Sequence, residues 1–259
     1  IVVKSSVNDR YIFISAKNKI DLKTEKLKFF KTTKFFNENN QYKIDLSTDN
    51  WPFLYMPAKV YPFTYLSIII LLLFSSVFFI NKIIKIKINN FSLPCFFLGA
   101  GFMLIETKCI TEIAKIYGST WMVISVVIAS ILFMAFIANL IVMKNLKISF
   151  IQTYILLLIS LIFGYYIFTI GFTSLPLNLS KILLPIVLTI PILFSGIAFS
   201  KELLKLKSVS QALSSNILGA MVGGFLEYNS MYYGFSSLYI LAGILYLLAF
   251  VFSVNKLSY

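Results

Sequence analysis

No histidine occurs anywhere in the 259 residues, and the chain holds only two cysteines, Cys95 and Cys109. That poverty excludes a zinc or copper site built from imidazole and thiolate, and a haem held through histidine. The cysteines cannot bridge each other, because on one expected helix they stand about 21 Å apart at roughly 1.5 Å per residue, far beyond disulfide reach. Phosphate-binding and nucleophile-elbow motifs of the forms G-x-x-x-x-G-K-[ST], G-x-G-x-x-G and G-x-S-x-G are missing as well. The sequence opens at Ile1 without a basic n-region or cleavage signature. The expectation is a portion of something longer, with no signal peptide to discount.

Charge is scarce too, at 13% of residues against 59% hydrophobic, and a soluble domain of this length does not carry that balance. Several apolar runs reach spanning length, which predicts a polytopic helical membrane protein; barrel strands would alternate in polarity over shorter stretches. The net charge of +13 does not imply nucleic acid. The lysines sit in a polar head and in short loops between apolar runs, where they set topology.

Residues 1–58 are rich in Lys, Asn and Thr and read as the short C-terminal remnant of an α/β soluble domain. Tyr11 to Ile14 reads as a strand, and Leu22 to about Phe36 as a helix with a solvated lysine face. Residues 59–259 form the membrane domain, an all-α bundle of about seven spans near 62–80, 93–116, 119–143, 149–172, 180–200, 209–229 and 235–255. Every second loop is basic: Lys82, Lys85 and Lys87, then Lys144 and Lys147, then Lys201, Lys205 and Lys207. The positive-inside rule therefore puts the C-terminus in the cytoplasm of a cell with the bundle in its inner membrane, and the head outside. Pro185 and Pro191 fall inside the fifth span and predict a kink there, with Ser195 and Gly196 absorbing the freed backbone.

The second span, Leu93 to Tyr117, carries ionisable groups that are costly in a bilayer core of roughly 30 Å. Lys108, Glu112 and Lys115 are spaced to neutralise one another along one helix face near the boundary. Glu106 projects with Gly99, Phe102 and Met103, away from that ladder and without a local partner. In the sixth span Ser215, Gly219, Gly223 and Glu227 follow at four-residue steps, a small-residue stripe that lets another helix approach and that ends in a carboxylate. Asn216, Ala220, Gly224 and Tyr228 make the adjacent stripe. Two readings stay open: Glu106 and Glu227, with Asn139, Asn216 and Tyr228, line a pocket for a small cationic ligand or a proton, or they are hydrogen-bonded glue between packed helices. No metal site is expected.

The cluster Ser47-Thr48-Asp49-Asn50-Trp51-Pro52-Phe53-Leu54-Tyr55 resembles the tail that closes the catalytic domain of spermidine-synthase-like (aminopropyltransferase-like) proteins, especially membrane-fused members in which it reads TDDWPFLY. Asn50 replaces the second Asp of that pattern. Read structurally, Asp49 and Asn50 make a turn and the aromatics anchor the chain at the membrane surface. The blocks FFLGAGFMLIETKCITEIAKIYGSTWMVISVVIASILFMAFIAN and NILGAMVGGFLEY resemble the membrane region of the same proteins. The resemblance implies an upstream Rossmann-like domain with an S-adenosylmethionine-type nucleoside; its catalytic residues are absent here, so no catalytic residue or cofactor is assigned to these residues. The expected function is the membrane module of such a protein, anchoring and feeding the upstream domain. The alternatives are a transporter-like bundle using Glu106 and Glu227, and a purely structural module.

Overall fold

The computed structural model describes residues 2–5, 11–13, 30–33, 45–79, 91–118, 120–144, 148–170, 176–206 and 208–255. The chain divides into two compact units, Ile1–Ile44 and Asp45–Tyr259. In the first, β1 (Val2–Ser5), β2 (Tyr11–Phe13) and β3 (Phe30–Thr33) form an antiparallel sheet in the order β2-β1-β3. The strand expected at Tyr11 is present. The helix expected from Leu22 to Phe36 is not what residues 30–33 form: the adjacent β-branched Thr32 and Thr33 suit a pleated strand, and Thr33 pairs with Val2. The rest of that expected helix lies outside the described residues.

The second unit is an all-α bundle. Its helices are α1 (Phe63–Phe79), α2 (Leu93–Tyr117), α3 (Trp121–Met143), α4 (Phe150–Ile170), α5 (Leu177–Lys205), α6 (Val209–Leu226), the single turn α7 (Ser230–Tyr233) and α8 (Ser237–Asn255). Six helices among the described residues are long and apolar enough to cross a bilayer. The first expected span, α1, is a shorter apolar helix of 17 residues, at the lower limit of about 17–25 for crossing.

The helix ends follow local chemistry. Pro94 opens α2, where its missing N–H costs nothing, and Gly118 closes it with φ 75°, a conformation that side chains disfavour. Pro185 and Pro191 both lie inside α5. Proline 185 donates no backbone hydrogen bond, which frees the carbonyl four residues earlier; the Tyr117 hydroxyl donates to that Lys181 carbonyl at 3.1 Å. The compensation at Pro185 thus comes from another helix rather than from Ser195 and Gly196.

Helix α2 is the hub, packed on α3, α5, α6 and α8, while α4 closes against α5 and α8. Its apolar face buries Leu98, Leu104, Ile105, Cys109 and Ile113 in one core with Val127, Leu157, Leu188, Leu238 and Tyr246. Most α1 side chains, from Phe63 to Phe78, remain exposed and suit contact with lipid.

Residues 45–61 belong with this bundle, so the boundary between units falls earlier than the expected residue 58. The cause is a clasp. Thr48 and Trp51 bridge across a tight turn centred on Asp49 and Asn50, with the Thr48 hydroxyl accepting from the Trp51 N–H at 3.1 Å. Trp51 is 2% exposed, and its indole N–H donates to the Met231 carbonyl at 2.6 Å. Asn50 accepts from the N–H of Phe235 through its carbonyl at 2.8 Å and from the N–H of Ser236 through Oδ1 at 2.7 Å. Phe53 stacks on Phe235 and Tyr61 on Tyr232. The turn-and-anchor reading of this stretch describes the geometry; an Asp at position 50 would keep the same acceptor oxygen. Gly234, at φ 83°, leaves no room for a Cβ beside the Asn50 amide.

Trp51→Phe removes only the indole donor and some volume. The expected loss is about 2 kcal/mol, the cost of leaving the buried Met231 carbonyl unsatisfied. Thermal unfolding in mild detergent reads the loss, and faster tryptic cleavage at Lys59 reports the opened clasp.

Candidate functional site

The site is built on the contact between α2 and α6. A Cβ added at Gly219 would run into the Phe96 carbonyl, one at Gly223 into the Ala100 carbonyl, and one at Gly99 into the Asn216 carbonyl. Glycines on both helices therefore interlock backbone against backbone, the close approach that small-residue stripes permit. Ser92 with Ser215, Phe96 with Gly219, Ala100 with Gly223 and Thr107 with Glu227 rise together along both chains, so the helices run parallel, while Gly99 reaches back to Asn216. Ser215 joins this face by accepting the Ser92 N–H at 2.9 Å, and Asn216 donates to the Cys95 carbonyl at 3.1 Å.

At the far end of the same face α6 gives way to a 3-10 turn, Glu227–Asn229. There Thr107 of α2 donates from its hydroxyl to Glu227 Oε2 at 3.0 Å. Glu106, the neighbouring residue on α2, is half-buried and lies within Coulombic reach of Glu227. Among the described residues no donor hydrogen-bonds Glu106, and neither carboxyl joins an ion pair. Two acids from neighbouring elements thus approach each other at this end, and one of them is held by a hydroxyl.

Aromatic rings surround this end. Tyr228 packs on Tyr65 at 5.5 Å between centroids, and Tyr232 lies between Tyr61 and Tyr233. The Tyr61 hydroxyl donates to Asn229 Oδ1 at 2.9 Å. Partial burial, then Tyr233 and Tyr232, hold the Tyr61 pKa above its ordinary value, so it stays a donor. Tyr55 is raised in the same way by burial and by Tyr65 and Tyr228.

The five residues proposed from sequence do not all assemble. Glu106, Glu227 and Tyr228 share this end of the α2–α6 face. Asn216 lies about 16 Å back along α6 at roughly 1.5 Å per residue and is committed to the Cys95 carbonyl. Asn139 of α3 accepts from Ser200 of α5 at 3.2 Å, in a different part of the bundle. Thr107 was not foreseen, although it sits on the row Gly99, Met103, Thr107 that turns toward α6.

The ladder on α2 is present. Lys108 Nζ reaches Glu112 Oε1 at 2.6 Å, and Lys115 reaches Glu112 Oε2 at 3.1 Å. Lys108 in it is 0% exposed, its ammonium 5.7 Å from the centroid of the Tyr239 ring. Lys108 stands about 13 Å from the end of α2 at Tyr117. A second buried charge was not foreseen. Glu202 of α5 is 2% exposed, hydrogen-bonded by Ser253 and paired with Lys205 at 2.9 Å. Lys201 and Lys205, expected in a loop, lie in the last turns of α5; Lys201 donates to the Ile148 carbonyl and to Thr153.

The helices define a polytopic α-helical membrane protein, and the buried charges place its polar chemistry inside the bundle. Comparison with family models, curated proteins and solved structures finds no match to this chain.

Proposed function

We propose that this chain is an integral membrane module that binds a small cation, an organic ammonium or a proton, at Glu106 and Glu227. The observation that carries the reading is the pair itself: two half-buried carboxyls on the interlocked α2–α6 face, one held by Thr107 and neither in an ion pair among the described residues. Uncompensated acids within a membrane bundle are expensive, and a bound cation removes the expense. The tyrosines at the same end offer ring faces of the kind that bind ammonium groups.

The resemblance of the Thr48–Tyr228 blocks to spermidine-synthase-like membrane proteins supports a polyamine as the ligand class, with the module anchoring and feeding an upstream aminopropyltransferase-like domain. The Trp51 clasp supports the anchoring part, because it fastens the chain to the bundle where the membrane unit begins. The lysines gathered at the α3–α4 and α5–α6 ends support a cytoplasmic C-terminus in an inner membrane.

Calorimetric titration of the purified full chain with spermidine and with tetramethylammonium tests the proposal. Glu106→Gln with Glu227→Gln is expected to keep the fold and weaken binding at least about tenfold, or 1.4 kcal/mol. Equal affinity of wild type and double variant, or absence of binding by the wild type to either probe, refutes it. The interlocked glycines favour a second reading, in which the same acids serve only to hold α2 against α6. A double variant that loses thermal stability, with a wild type that binds neither probe, is that reading's signature.

A further inference from the structure

The turn that carries Glu227 is held from outside the two helices it ends. Glu227–Asn229 is a 3-10 turn between α6 and the single turn α7, with poorer hydrogen-bond geometry than an α-helix, so its position depends on what packs on it. Two side chains fix it in series. The Tyr61 hydroxyl donates to Asn229 Oδ1 at 2.9 Å, and the Nδ2 of the same amide donates to the Leu226 carbonyl at 2.7 Å, on the residue just before Glu227. Tyr65 packs on Tyr228, the residue just after it.

The chain beyond the turn is gripped by the same segment. The Trp51 indole holds the Met231 carbonyl, and Asn50 accepts from the N–H groups of Phe235 and Ser236. Between these contacts Gly234 sits at φ 83°, a conformation open to glycine, with the Asn50 amide packed against it. The gripping segment has little else to hold it. Residues 45–61 carry the Thr48–Trp51 bridge and bury Trp51 and Met56 against Met231, while Leu46, Leu54 and Tyr55 stay exposed. Segments with so few buried contacts open at the lowest free energy. Opening withdraws Tyr61 from Asn229 and Trp51 from Met231 together, and Glu227 then loses the support that keeps it beside Thr107 and Glu106.

We infer that the Trp51 clasp positions Glu227 for its cation, so that seating of Trp51 and Tyr61 and binding at the Glu106–Glu227 pair strengthen each other. The inference rests on the cation-binding reading given above and adds its regulation. Trp51 and Tyr61 are positioning residues, acting through the Met231 carbonyl and through Asn229. Linkage makes the effect reciprocal: the factor by which a seated clasp raises affinity for the cation is the factor by which the bound cation shifts the clasp toward its seat.

The test uses the full chain in mild detergent, with spermidine as the probe and limited trypsin as the reporter. Cleavage after Lys59, read by the mass of the fragment that begins at Val60, follows the open population even where that population is small. Saturating spermidine is expected to slow this cleavage at least about threefold in wild type and to leave it unchanged in Glu106→Gln with Glu227→Gln. Cleavage after the exposed Lys144, at the end of α3, is expected to keep its rate throughout. Tyr61→Phe keeps the ring stack on Tyr232 and drops the hydroxyl, and is expected to weaken spermidine binding about two- to tenfold by calorimetry, the usual worth of one hydrogen bond. Trp51→Phe is expected to weaken it in the same direction. A merely structural clasp would open faster in these variants, but spermidine would not protect Lys59 in wild type. Unchanged Lys59 cleavage, slowing shared with Lys144 or with the double variant, or a Tyr61→Phe protein that binds spermidine like wild type overturns the coupling and leaves the cation reading standing. A wild type that binds neither spermidine nor tetramethylammonium overturns both.

Discussion

Glu112→Leu is expected to cost about 3–5 kcal/mol, the usual consequence of removing one member of a buried ion pair. It leaves the fully buried Lys108 ammonium without the carboxylate that now sits 2.6 Å away. Lys115 suffers less, because its partly exposed chain extends toward the surface. The double variant Lys108→Met with Glu112→Leu is expected to recover most of the loss, since well-packed apolar replacements of buried pairs are often neutral or stabilising by about 1–4 kcal/mol. Denaturant unfolding of the four proteins in mixed micelles gives the coupling directly. A single variant within about 1 kcal/mol of wild type would show that the pair does not hold the charge in place.

The second large effect lies on α6. Gly219→Val is expected to destabilise by about 3 kcal/mol or more, at or beyond the upper end for overpacked sites, because the obstacle is the Phe96 backbone rather than a side chain that can rotate away. Gly224→Ala, five residues further along the same helix region, is the matched control. Nothing lies within 4 Å of a Cβ there, so alanine is expected to be neutral or to add up to about 1 kcal/mol of helix propensity. Thermal unfolding monitored by size exclusion distinguishes them. Since α2 and α6 also carry Thr107 and Glu227, separating them at Gly219 is expected to weaken spermidine binding along with the fold.

The bundle was legible in the sequence because apolar runs near 20 residues have few alternatives in lipid. The four-residue steps through Gly219 and Gly223 likewise announced a close helix contact, and the structure supplies α2 as the partner. The helix spacing of Lys108, Glu112 and Lys115 gave their pairing but not their depth. A charge ladder on one helix says nothing about what covers it, and here Tyr239 of α8 does. Glu202 was passed over because it stands among lysines that looked like a loop, whereas α5 continues through them to Lys205. In the head, the lysine run suggested a helix where strand pairing with Val2 decided residues 30–33 otherwise.

The Trp51 clasp sets an order of assembly. Its acceptor on Met231 lies 180 residues later in the chain. At a synthesis rate of about 5–20 residues per second, roughly ten to forty seconds separate the emergence of Trp51 from that of the carbonyl it needs. During that interval the indole has no seat, and the segment from Asp45 to Tyr61 waits beside a bundle that is still being inserted. The clasp closes only after α6 is threaded and the corner leading into α8 exists. A nascent chain that stops before residue 231 therefore exposes an unburied tryptophan at the membrane surface, a mark by which an unfinished copy differs from a finished one.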